Sequence, residues 1–109
     1  MTLDTKDAAH EAIKAEIDRN DVVLFMKGTA QMPQCGFSSR VAGVLNYLCV
    51  QYKDVNVLAD EGIRNGIKSF SDWPTIPQLY VNGEFIGGSD IMTEMYQSGE
   101  LQPALGLTA

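Results

Sequence analysis

The chain has 109 residues, 45% of them hydrophobic and 20% charged, with a formal net charge of −6 at pH 7. This is ordinary globular composition, long enough for a single domain over residues 1–109 with a modest core. The acidic balance argues against nonspecific nucleic-acid binding, and no apolar run approaches the roughly 18 residues needed to cross a bilayer, so no nucleic acid and no membrane is expected as a partner.

Asp4 to Asn20 reads as a helix whose apolar face is marked by Ala9, Ile13 and Ile17. Asp4 or Thr5 suits its start, and Asn20-Asp21 its end. Val22 to Met26 is a short, wholly apolar run rich in β-formers, suited to a central strand buried on both faces. Lys27-Gly28-Thr29 closes that strand, and the loop runs on to Pro33. Gly36 to Val50 reads as the second helix, with Val41, Val44, Leu45 and Leu48 on one face. Tyr52 to Val57 is a weaker strand, near an edge. Asp60 to Phe70 reads as a third helix facing inward through Ile63, Ile67 and Phe70.

Ser71 to Pro77 holds two prolines and is a loop. Gln78 to Val81 and Glu84 to Ile86 are strands joined by Asn82-Gly83, a dipeptide that suits the positive φ angles of a type I′ turn. After Gly87-Gly88, Ser89 or Asp90 suits the cap of a fourth helix with Ile91, Met92, Met95 and Tyr96 on its inner face, ended by Gly99. Leu101 to Leu107 adds a last helical turn. The order is helix, β-α-β, helix, β-β-α. It predicts an α/β, thioredoxin-like fold: a central four-stranded mixed sheet, helices on both faces, and an extra N-terminal helix.

Cys35 is the residue on which chemistry centres. Most free cysteines are small core residues, but this one follows the Pro33 loop and opens a helix. Unpaired backbone N–H groups and the positive end of the helix dipole favour thiolate there. Lys27 ends the preceding strand; it either adds to that stabilisation, holds a ligand carboxylate, or is a solvated strand-end lysine. Three residues after Cys35, where a dithiol oxidoreductase has its second cysteine, stands Ser38, which cannot displace a mixed disulfide. Cys35 can therefore form a mixed disulfide with an outside thiol or ligate a metal. Cys49 lies about 20 Å further along a continuous helix, beyond the roughly 7 Å reach of a disulfide, and reads as a core residue. His10 reads as a surface helix residue. Two cysteines are few for a secreted domain, and the charged opening of the chain is unlike a leader. A bacterial cytoplasm is the expected setting, or an organelle after removal of a transit peptide.

Lys27-Gly28-Thr29, Pro33-Gln34-Cys35-Gly36-Phe37-Ser38, Trp73-Pro74-Thr75-Ile76-Pro77-Gln78 and Gly87-Gly88-Ser89-Asp90 occur in this order at fitting intervals. Together they resemble the monothiol glutaredoxins of the CGFS type, over about Asn20 to Gly99. The resemblance implies bound glutathione and a [2Fe–2S] cluster shared by two subunits, each giving its Cys35 thiolate and one glutathione thiolate, which makes four sulfur ligands. It implies Lys27 and Arg64 as partners of a glutathione carboxylate, and the Ile76 backbone as partner of the cysteinyl backbone. Pro77 would be cis, and Ser89 and Asp90 would hold the γ-glutamyl end. It further implies a monomer without the cluster, a homodimer bridged by it, mixed complexes with a BolA-type protein, and apo iron–sulfur proteins as recipients. Many relatives carry cysteine where this chain has Ser89. Three functions follow: a cluster carrier with weak or no turnover, a glutathione-dependent monothiol oxidoreductase, or an interaction domain without thiol chemistry.

Overall fold

The computed structural model describes residues 5–107. Its elements in chain order are α1 (Thr5–Arg19), β1 (Val22–Met26), α2 (Gly36–Tyr47), β2 (Lys53–Asn56), α3 (Glu61–Ser71), β3 (Gln78–Val81), β4 (Glu84–Gly87), α4 (Ser89–Ser98) and α5 (Leu101–Ala104). The Asp4 cap expected from sequence lies outside the described residues. No described helix is long and apolar enough to cross a membrane.

The four strands form one sheet in the order β2-β1-β3-β4. β1 and β2 are parallel, joined by the crossover through α2, and the other two pairings are antiparallel. β1 is apolar at every position because both its faces are covered. Leu24 and Met26 meet Val41 and Leu45 of α2 and Met92 of α4. Val23 and Phe25 meet Ile13 and Ile17 of α1 and Ile67 of α3. The more polar β2 is an edge strand, as its composition suggested.

Turn chemistry follows the residues. Asn82 and Gly83 both take positive φ, 51° and 84°, as the β3–β4 hairpin requires. Asp60 caps α3 by accepting the Ile63 N–H at 3.1 Å.

Three expectations are corrected. α2 ends at Tyr47 rather than at Val50. Cys49 takes a left-handed conformation (φ 58°), its N–H bonding to the Asn46 carbonyl and that of Val50 to the Leu45 carbonyl. This paired pattern ends a helix around one left-handed residue. It rotates Cys49 out of the apolar face, so Cys49 is exposed, not core. At α4, neither Ser89 nor Asp90 is the cap. Gly88 occupies that position and the helix begins at Ser89, because Gly87 (φ 148°) turns the chain one residue earlier.

Candidate functional site: a cleft beside Cys35

The loop from Lys27 to Gln34 is tightly folded before it delivers Cys35. Gln34 N–H bonds to the Lys27 carbonyl at 2.9 Å, and Thr29 and Met32 bond to each other's backbone. Gly28 (φ 89°) must be glycine: a Cβ there would lie 2.5 Å from the Met32 carbonyl oxygen. β2 anchors this loop from below. Asn56 Oδ1 accepts the Gly28 N–H at 2.9 Å, and Asp54 Oδ2 accepts the Ala30 N–H at 2.8 Å.

Cys35 is the N-cap of α2, extended and partly exposed. No hydrogen bond closes on its sulfur as a helix cap among the described residues. The thiol is held below its usual value, first by the Ser38 backbone N–H. Partial burial opposes this, and the Phe37 N–H, the Lys27 ammonium and the Ser38 hydroxyl add to it. Ser38 itself is wholly buried, and its Oγ accepts the Lys27 N–H at 3.1 Å. The residue at the resolving position is thus a tie between α2 and the end of β1.

A cleft of about 410 Å³ opens beside the thiol, lined by Lys27, Cys35, Ile76, Ser89 and Asp90 among others. Five of the six sequence-derived site residues therefore meet in one place. Arg64 does not line this cleft. It is exposed on α3 beside a neighbouring depression with Val57, Leu58 and Glu61. Lys68, one helical turn on, lines both hollows, and sequence reasoning missed it. The signal was available, since Lys68 stands four residues after Arg64 and shares its helix face.

The far wall is the Trp73–Pro77 loop, with the Ile76–Pro77 peptide bond cis, as expected from the resemblance. Gly88 lets this wall close: a Cβ there would lie 3.2 Å from the Trp73 indole nitrogen and 3.3 Å from the Pro77 carbonyl oxygen. The Trp73 indole N–H and the Ser89 hydroxyl are buried without a hydrogen-bond partner among the described residues. His10 is half-buried rather than a free surface residue. Its Nε2 lies 2.7 Å from Ser69 Oγ, and it stacks edge-on to Phe70, away from the cleft.

The profile of the glutaredoxin family matches residues 22–86, from β1 into β4. A monothiol glutaredoxin of Synechocystis, described as ycf64-like, is 60% identical over 96 residues, covering 84% of this chain and 90% of that protein. The chain belongs to the monothiol glutaredoxins. A probable monothiol glutaredoxin 2 of Rickettsia typhi is 57% identical over 93 residues, covering 85% of this chain and 84% of that one. Among solved structures, reduced poplar apo GrxS14 superposes with a TM-score of 0.82 at 45% identity, covering 95% of both chains. A monothiol glutaredoxin keeps one reactive cysteine. Of the two cysteines, Cys35 lines the cleft and carries the lowered thiol, whereas Cys49 stands exposed just beyond the other end of α2.

Proposed function

We propose that this glutaredoxin binds glutathione in the Cys35 cleft and carries a [2Fe–2S] cluster between two subunits, delivering it to apo iron–sulfur proteins. The observation that carries the reading is a single, partly exposed, activated thiol at the mouth of a ligand-sized cleft, with buried Ser38 where a second thiol would stand. Among the described residues no three His, Cys, Asp or Glu side chains are grouped to hold a metal ion. At the cleft the chain offers one thiolate, that of Cys35, which fits a cargo completed by glutathione sulfur and a second subunit. Met32, in the preceding loop, and Phe37, beside the thiol, are exposed apolar side chains that a second subunit can cover.

The cleft suits the tripeptide. Lys27 and Lys68 offer ammonium groups to its carboxylates, with Arg64 at the adjoining hollow. Ile76 offers its backbone, and the Ser89 and Asp90 amides at the start of α4 offer N–H donors to the γ-glutamyl end. On this reading the protein is a monomer without cluster and a homodimer with it, a BolA-type protein can replace one subunit, and the setting is a bacterial cytoplasm.

The test is anaerobic reconstitution with iron, sulfide and glutathione, followed by visible absorption and circular dichroism, with Cys35→Ser beside the parent. Cluster bands in the parent alone support the carrier. Bands in both would transfer the ligand role to Cys49.

The lowered Cys35 thiol also favours a second reading, monothiol deglutathionylation. The Cys35 thiolate attacks the glutathione sulfur of a protein mixed disulfide, forming Cys35–S–S–glutathione and expelling the protein thiolate. A second glutathione thiolate then attacks that glutathione sulfur, releasing glutathione disulfide and restoring the Cys35 thiolate. Cluster bands in neither protein, with rapid glutathione release from a glutathionylated substrate, would favour this reading.

A further inference from the structure

Gln78 is the first residue of β3, directly after the cis Ile76–Pro77 bond, and it is wholly buried. A buried carboxamide must spend its donors and acceptor within the protein. Its Nε2 donates to two carbonyls of the cleft wall, Trp73 and Thr75, at 3.1 Å each. Its Oε1 accepts the Tyr80 hydroxyl at 3.4 Å, which orients the group. The Thr75 carbonyl is therefore turned inward. In a planar trans peptide the N–H points opposite to the C=O, so the following N–H, that of Ile76, is turned away from Gln78, toward the side on which Ile76 lines the cleft.

We propose that Gln78 is a positioning residue for ligand recognition: by holding the Thr75 and Trp73 carbonyls inward, it aims the Ile76 N–H at the backbone of the bound tripeptide. This rests on the glutathione reading above. It assigns Gln78 no contact with the ligand and no part in activating the thiol. Its effect falls on thiols that carry a peptide backbone and spares those that do not.

The experiment compares two disulfides in a Cys49→Ser background, so that Cys35 alone reacts. The Cys35 thiolate is equilibrated with glutathione disulfide or with mercaptoethanol disulfide, releasing one thiolate and leaving one mixed disulfide in each case. The two products are quantified by mass. The ratio of the two equilibrium constants cancels the acidity of Cys35 itself. In the parent, glutathione should be preferred. In Gln78→Leu, and in Gln78→Glu at a pH high enough to ionise its buried, upshifted carboxyl, the preference should fall about tenfold, the scale of losing a paired backbone hydrogen bond to a bound ligand. Alkylation of Cys35 by iodoacetamide should keep its parental rate, and unfolding should stay cooperative. As pH falls, the carboxylate introduced by Gln78→Glu takes up a proton and regains one O–H donor, and the preference should partly return. Tyr80, the titratable group in contact, is pushed up to about 12 by burial and stays neutral throughout that range.

A folded Gln78→Leu protein that retains the parental preference would overturn the proposal. If Gln78→Leu does not fold, Gln78→Glu decides: recovery toward acid supports the proposal, and a preference unchanged with pH overturns it. No preference in the parent would defeat the glutathione reading itself, a different failure from a preference that both variants keep.

Discussion

The acidity of Cys35 rests more on backbone than on side chains. The Ser38 N–H is the largest influence on the thiol, ahead of the Lys27 ammonium. Lys27→Gln should therefore raise the midpoint of the pH–alkylation profile of Cys35 without restoring an ordinary thiol. A midpoint unchanged from the parent would remove Lys27 from the account. Ser38→Ala leaves the part-buried Lys27 N–H without its acceptor and should cost about 1–3 kcal/mol in chemical denaturation. Cys49 illustrates the opposite case, a residue whose side chain is incidental to its place. It holds a left-handed conformation in which glycine has no steric penalty, so Cys49→Gly should stabilise the protein by about 1 kcal/mol. A decrease in the denaturation midpoint would contradict this.

At the scale of elements, the site depends on how closely its supports approach. α1 and α3 cover one face of the sheet and meet at Gly66, where a Cβ would lie 2.7 Å from that of Ala9. Gly66→Ala gains helix propensity in isolation, yet it should destabilise the fold by about 1–3 kcal/mol because the two helices must separate. Since α3 also carries Lys68 to the cleft, the same substitution should weaken ligand binding, measurable by titration with glutathione. The elements themselves were largely legible in the chain. β1 and β3 have the boundaries that their apolar runs suggested, and the hairpin sits at Asn82-Gly83. The end of α2 was not legible. Leu48-Cys49-Val50 continues the apolar pattern, and nothing in a cysteine marks the left-handed turn that glycine would have signalled.

For the molecule as a whole, the buried aromatic cluster sets an alkaline limit. Tyr80 packs edge-on against Phe25 and is pushed up to about 12 by burial. A tyrosine in the unfolded chain titrates near pH 10. The folded value is the higher one, so the stability from the neutral phenol is complete below about pH 10 and is lost as pH rises through about 12. Urea midpoints should fall across that interval, and Tyr80→Phe should flatten the fall. A parallel decline in the variant would place the alkaline limit elsewhere.

The order of elements, the family and the candidate thiol were legible in the sequence alone. Each rests on local chemistry: a period of apolar residues, a turn dipeptide, a cysteine before a helix with serine three positions on. Tertiary structure decided which groups meet. It brought Lys68 to the cleft and set Arg64 beside it. It turned Cys49 outward and placed the Gln78 carboxamide behind the wall that holds Ile76. These outcomes depend on the direction of a side chain or carbonyl. That direction follows from sheet order, helix ends and close packing between segments distant in sequence, none of which a residue's immediate neighbours encode.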